Sequence, residues 1–226
     1  MAPLWAALIS QLSAMPYFFS NGPRVAELFG QHLYLTLVAL VIAGLIGLPL
    51  GVLLHRVRPL RGPLLALFSI LYTIPSLSLL VLLIPLSGLS ATTAIIALVI
   101  YAQLVLVRNT LAGLDGVDAA TVEAAKGIGM SPWQRLWRVE LPLASPVILA
   151  GLRVAAVSTV GIAAIAAFIN AGGLGVLLFE GVRTGNYDKI VAGAVAISLL
   201  AISINWGVRL VERRLETRVH GENVAQ

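Results

Sequence analysis

The chain has 226 residues, of which 59% are hydrophobic and only 11% charged, and its mean hydropathy is +0.96. Soluble domains carry about 25% charged residues, so this composition excludes an ordinary soluble protein and fits one integral membrane domain. The net charge of +5 does not point to nucleic acid, because the basic residues stand at the ends of apolar runs, and the absence of cysteine removes disulfides and thiol chemistry.

Residues 1–23 carry no charge but are interrupted by Ser10, Gln11, Ser13, Pro16 and Asn21. They lack the basic start of a signal peptide. Residues 1–30 are therefore expected to form an external, interfacial segment rather than a span, with Tyr17, Phe18 and Phe19 at headgroup level.

Charge-free windows then mark the spans. Residues 33–54 make about 33 Å of helix, enough for one crossing. Residues 62–107 are too long for one crossing and divide at Ser87-Gly88-Leu89-Ser90. Residues 154–171 and 190–208 supply one span each, which makes five. Lys and Arg set the orientation: residues 55–61, 108–153 and 209–226 hold three, five and four basic residues, and the opposite side only Arg24, Arg183 and Lys189. By the positive-inside rule, the N-terminus lies outside and the central loop and C-terminus inside.

Within the spans, Pro49, Pro75 and Pro85 predict kinks or breaks. Thr73, Pro75 and Ser76 put proline and small hydroxyls together mid-span, where freed backbone groups face protein or a water-lined path. The fourth span is rich in small residues, including Ser158, Thr159 and Gly161, which suit either close helix packing or a lining role. Asn170-Ala171-Gly172-Gly173 ends that span in a turn, and residues 176–182 can form a short external helix. Arg209, Glu212, Arg213 and Arg214 anchor the last span, and residues 213–226 are expected to form a mobile cytoplasmic tail.

Between the third and fourth spans lies a polar island. Asp118 can cap a helix over residues 119–128, and Gly129 sits where a left-handed residue would end it. Ser131 and Pro132 restart a helix as N-cap and first residue. Trp133, Leu136, Trp137 and Glu140 follow at helical spacing, and Pro142 is expected to stop the helix or re-aim it. From residues alone, an amphipathic loop lying in the membrane interface is an open alternative.

The stretch also resembles the signature loop of the membrane subunits of binding-protein-dependent ABC importers. That signature is matched by Glu123-Ala124-Ala125, Gly129, Val139, Leu141 and Pro142 at every spacing, with Val139 where an isoleucine is commoner. The resemblance covers about residues 30–212. It implies an all-α integral membrane fold with five transmembrane helices, of the type I importer and methionine-permease kind, with a permease domain at 31–212 and a cytoplasmic coupling loop at 113–145. It implies that Glu123, Ala124, Ala125, Gly129, Val139, Leu141 and Pro142 couple to a separate cytoplasmic ATPase dimer, which would hold ATP and Mg. An extracytoplasmic substrate-binding protein, a second permease chain and membrane lipid would complete the surroundings, in a bacterial plasma (inner) membrane; no nucleic acid is expected.

The stretches Tyr72–Leu77, Tyr101–Leu114 with Arg108-Asn109-Thr110, Glu140–Ile148 and Ala167–Gly175 are most similar to permeases for glycine betaine, carnitine, choline or proline. Asn170 departs from the glycine usual there, so gating or specificity is expected to differ. Thr73, Pro75, Ser76, Ser158, Thr159 and Asn170 are the candidate pathway residues. A permease for methionine or another amino acid, and a non-transporting scaffold or sensor subunit, are the alternatives. No catalytic or metal residues are expected: no phosphate-binding loop, metal motif or nucleophile elbow occurs, and Asp, Glu, Lys and His are missing from every span interior.

Overall fold

A computed structural model describes residues 17, 18 and 20–221, with the side chains of 211 and 213–221 excepted. The expected interfacial segment therefore lies largely outside the described residues. All described regular structure is helical. The long elements are α1 (Gly22–Arg56), α2 (Arg61–Thr73), α3 (Ser76–Ser87) and α4 (Ala91–Asp115), then α5 (Ala119–Gly127) and α6 (Pro132–Arg135) in the loop. α7 (Leu141–Ala163), α8 (Gly175–Thr184) and α9 (Tyr187–Gly221) complete the chain. Gly22–Arg56, Ala91–Asp115, Pro132–Ala163 and Tyr187–Leu210 are each long and apolar enough to cross a membrane. The broken pair α2–α3 makes a fifth when its two halves are taken as one span.

The break falls at Ile74-Pro75. Proline pushes the preceding residue out of the helical region, and Pro75 itself has ψ 135°. The other two prolines break no helix: Pro49 lies inside α1 and Pro85 inside α3, both uninterrupted at those positions. Pro142 neither stops nor redirects its helix. Residues Leu136–Glu140 form a π turn, in which the Leu141 N–H reaches the Leu136 carbonyl, and α7 continues from it. Insertion of a π turn shifts the hydrogen-bond register, so a proline in the first turn of α7 meets no ladder it must break. The last helix likewise runs on past residue 208 to Gly221, so the end of the apolar window is a change of polarity and not of backbone.

The chain divides into two compact units. One comprises residues up to 40, Ile74–Val99 and Val157–Ser203. Leu28, Leu35, Leu80, Leu98, Leu174, Leu177 and Leu200 are its largest buried apolar side chains. Here α3 packs on the 3-10 turn Ile165–Ile169, and α8 closes on the same turn. The turn joining α3 to α4 is tied by Ser87 and Thr93 hydroxyls, 2.7 Å apart, at the division expected from sequence.

The other unit comprises Val41–Thr73, Ile100–Ala156 and residues from 204. Its core is Leu54, Val107 and Leu111, with Leu114, Leu136 and Ala144 as a second cluster. Small residues set its helix spacing: a Cβ on Gly51 would lie 2.5 Å from the Thr110 Cβ, and one on Gly113 2.9 Å from the Ala144 carbonyl. Close backbone approach by glycine is how helices pack where lipid offers no hydrophobic contrast. The tightest approach in this unit is at Gly151 of α7, where a Cβ would run into the Asn109 side chain, whereas Gly161 in the same helix has open space around it.

Candidate functional site

The loop between α4 and α7 is built by local chemistry at every joint. Asp118 caps α5, its carboxylate accepting from the Thr121 N–H at 3.3 Å. α5 ends in a Schellman turn: Met130 N–H donates to the Ala125 carbonyl (3.1 Å) and Gly129 N–H to the Lys126 carbonyl (2.9 Å). Gly129 takes φ +81°, the left-handed conformation this turn requires. Ser131 and Gln134 then form a full capping box at the start of α6, with Pro132 at its first position.

The loop is fastened to the helix ends around it by charged groups. Glu140 is buried, 5% exposed, and accepts from Arg135 Nε at 2.6 Å. Its other oxygen lies 4.0 Å from His55 Nε2. His55 Nδ1 is 2.7 Å from Asp115, and because a carboxylate can only accept, that nitrogen carries the proton. Arg61 grips the same Asp115 with two nitrogens, at 2.7 and 2.8 Å, and also donates to the Leu54 carbonyl at 2.7 Å. Arg56 donates to the Pro132 carbonyl at 3.0 Å. The ends of α1 and α4, the start of α2 and the far side of the loop thus meet in one charged cluster. Bidentate arginine–carboxylate pairing of this kind fixes geometry as well as adding energy.

The opposite face of the loop is open. Glu123 is exposed and paired with Lys126 at 2.6 Å, whose ammonium holds the Glu123 carboxyl below the usual carboxylate range. Glu123 is therefore ionised throughout the neutral range. Ala124 is exposed and Ala125 buried; Val139, Leu141 and Pro142 are half-buried, at the root of the loop. Ile128, Trp133 and Trp137 are 75%, 63% and 55% exposed, the two indoles edge to face at 5.5 Å. The seven motif residues thus lie along the loop and its junction with α7, with Glu123, Ala124 and Gly129 on the surface.

The candidate pathway residues are more scattered. Thr73 donates back to the Ile70 carbonyl at 2.7 Å. Pro75 and Ser76 open α3, which packs on the 3-10 turn ending at Asn170. Thr159 is buried and Ser158 half-buried in α7. Asn170 is the only non-glycine residue with positive φ (59°) among those described, which explains why glycine suits that position and why asparagine, tolerant of this conformation, can replace it.

Beside it is a fastening that nothing in the linear order announces. His32 is fully buried; its Nε2–H donates to the Val160 carbonyl (3.1 Å), and its Nδ1 accepts from the Leu174 N–H (3.2 Å). Gln31 accepts from the Gly173 N–H at 3.0 Å. Replacing His32 by leucine strands a buried donor and a buried acceptor, each costing about 1–3 kcal/mol. His32→Leu is expected to lower the thermal unfolding temperature of the detergent-purified protein clearly, whereas Gln31→Leu, at a half-buried position holding the same turn by one bond, lowers it less.

A family model described as the inner membrane component of binding-protein-dependent transport systems matches residues 43–217. The chain belongs to that family. Its relatives match it over nearly nine-tenths of its length. It is 43% identical over 200 residues to the osmoprotectant import permease protein OsmW of Salmonella typhimurium, covering 86% of this chain and 93% of that protein. It is 38% identical over 201 residues to the glycine betaine/carnitine/choline transport system permease protein OpuCB of Bacillus subtilis, covering 89% and 93%. Among solved structures, the inward-facing MetNI methionine ABC transporter is similar at a TM-score of 0.78 and 26% identity, covering 84% of this chain and 95% of that one. The five-span, all-helical permease fold expected from sequence is therefore the fold of this chain.

Proposed function

We propose that this permease moves an osmoprotectant, a small quaternary amine such as glycine betaine, carnitine or choline, into a bacterial cell, driven by a separate cytoplasmic ATPase. The observation that carries the coupling role is the loop itself: stiff, open on its Glu123–Gly129 face, and clamped on its other side to three helix ends. A partner that grips the open face moves those helix ends with it. Closure of an ATPase dimer would then rock the spans between inward- and outward-facing states as rigid bodies.

In this reading the loop over residues 113–145 and the C-terminus face the cytoplasm, residues 1–30 lie at the outer surface, and a second permease chain completes the pathway. Many apolar side chains on the spans remain open in the single chain, Leu45 at 72%, Leu86 at 81% and Trp206 at 64%, which suits lipid and a second chain as neighbours. An external binding protein delivers the solute, and ATP and Mg reside on the ATPase. Thr73, Pro75, Ser76, Ser158, Thr159 and Asn170 contribute to the pathway and its gate. The betaine-type substrate is supported by what the relatives named above are called.

The test is uptake of labelled glycine betaine, carnitine, choline, proline and methionine into cells with and without the gene, at low and raised osmolality. The reading expects betaine-type uptake to be lost with the gene and methionine uptake to be unchanged. Loss of methionine uptake alone would keep the importer and discard the substrate. No change in any solute would favour a non-transporting subunit.

A further inference from the structure

In the unit that holds Asn170, a cavity of about 480 Å³ lies between α8 and the end of the 3-10 turn, lined by Phe168, Asn170, Val176, Phe179, Glu180 and Arg183 among others. Val176, Phe179, Glu180 and Arg183 follow at i, i+3, i+4 and i+7 of α8, so they form one stripe along its face. Phe168 comes from the turn and meets Phe179 edge to face, ring centroids 4.3 Å apart at 67°. Phe168 stays 59% exposed, so aromatic surface remains open to the cavity.

The charges beside this corner are unequally used. Glu180 is paired with Lys189 at 3.3 Å. Arg183 has no hydrogen bond or ion pair among the described residues and is exposed. The lining therefore offers aromatic faces, which attract an alkylammonium through the ring quadrupole. One turn further along α8 it offers a guanidinium free to take a carboxylate on two nitrogens. Neighbouring positions on the helix face are about 5–6 Å apart, which matches a molecule whose two opposite charges are separated by one or a few carbons.

The geometry points to a binding site for zwitterionic quaternary amines in this cavity, with Phe168 and Phe179 receiving the ammonium and Arg183 the carboxylate. It rests on the substrate reading proposed above and adds a residue that tells carboxylated amines from purely cationic ones. On the orientation proposed there, the site stands at the external mouth, where solute leaves the binding protein.

The test is uptake of labelled glycine betaine and choline by the complete importer, with its ATPase and binding protein, in proteoliposomes. Arg183→Gln is expected to lower glycine betaine uptake about tenfold while leaving choline uptake unchanged or raised. Arg183→Lys, which keeps the charge, is expected to retain most glycine betaine uptake. Phe168→Leu and Phe179→Leu should lower uptake of both solutes, by about threefold each. Equal loss of both solutes in Arg183→Gln would overturn the site, since that is the signature of a contact with the binding protein. No loss of either would overturn it too. A wild-type importer that carries choline but no carboxylated quaternary amine would overturn the site alone, and one that carries neither would overturn the site together with the substrate reading, whereas the first two results leave that reading standing.

Discussion

Replacing Gly129 by valine is expected to abolish transport while leaving the five spans inserted. Gly129 holds φ +81° in the Schellman turn that ends α5 and aims α6. A Cβ there would meet no other atom within 4 Å, so any effect comes from the backbone and not from a clash. A left-handed conformation costs an L-residue about 1–2 kcal/mol, and a β-branched one tolerates it worst. That is enough to move the loop to another turn about tenfold more often, and a loop that swings freely cannot pull on the helix ends. Asparagine tolerates the left-handed region, as Asn170 does in this same chain, so Gly129→Asn should keep much of the activity. Uptake and membrane abundance, measured together for both variants, check the expectation. Loss in both variants alike would mean that the position is needed for its surface and not for its turn.

The second large effect is expected at Glu140. Its carboxylate is buried and bonded to Arg135 at 2.6 Å, with His55 Nε2 at 4.0 Å. Removing one partner of a buried ion pair leaves an uncompensated charge, which costs about 3–5 kcal/mol when both are fully buried. Arg135 keeps a fifth of its side chain open to solvent, so the cost of Glu140→Ala falls to the lower limit of that range or just under it, about 2–3 kcal/mol. The expected result is a lower unfolding temperature together with loss of solute-dependent ATP hydrolysis in the assembled complex. Replacing both partners by apolar residues, as in Glu140→Leu with Arg135→Met, should recover most of the stability, because the buried charge is gone. If coupling stays lost in that double variant while stability returns, the cluster holds the loop in place for a purpose beyond stability.

Much of this was legible in the linear sequence, for physical reasons. Apolar windows must be about 20 residues long to cross a bilayer, and each loop joint is a local device: Asp118, Gly129, Ser131 and Pro132 all do what their types dictate. What stayed hidden depends on distance in sequence. Arg61 reads only as one of the basic residues that set the orientation, and nothing in the sequence links it to His55 or Asp115 until the fold brings the three together next to Glu140. His32 reads as a residue at the end of a span, yet its ring joins two segments more than 120 residues away. Pro142 misled because the effect of a proline depends on the register around it: Pro142 follows a π turn and is carried through, whereas Pro75 breaks its helix as expected. Faces of the spans could not be told apart, since helices apolar all round carry no period to read.

The most direct test of the coupling role uses the absence of native cysteine, which makes a single introduced one unique. Ala124 is exposed in the lone chain, on the open face of α5. Ala124→Cys is reacted with a bulky maleimide in inside-out vesicles, with and without the cognate ATPase assembled. If the loop is the surface that the ATPase grips, assembly slows the reaction at least about tenfold, a loss of accessibility worth about 1.4 kcal/mol. An unchanged rate, in a complex shown to contain the ATPase, would contradict the coupling role of this loop.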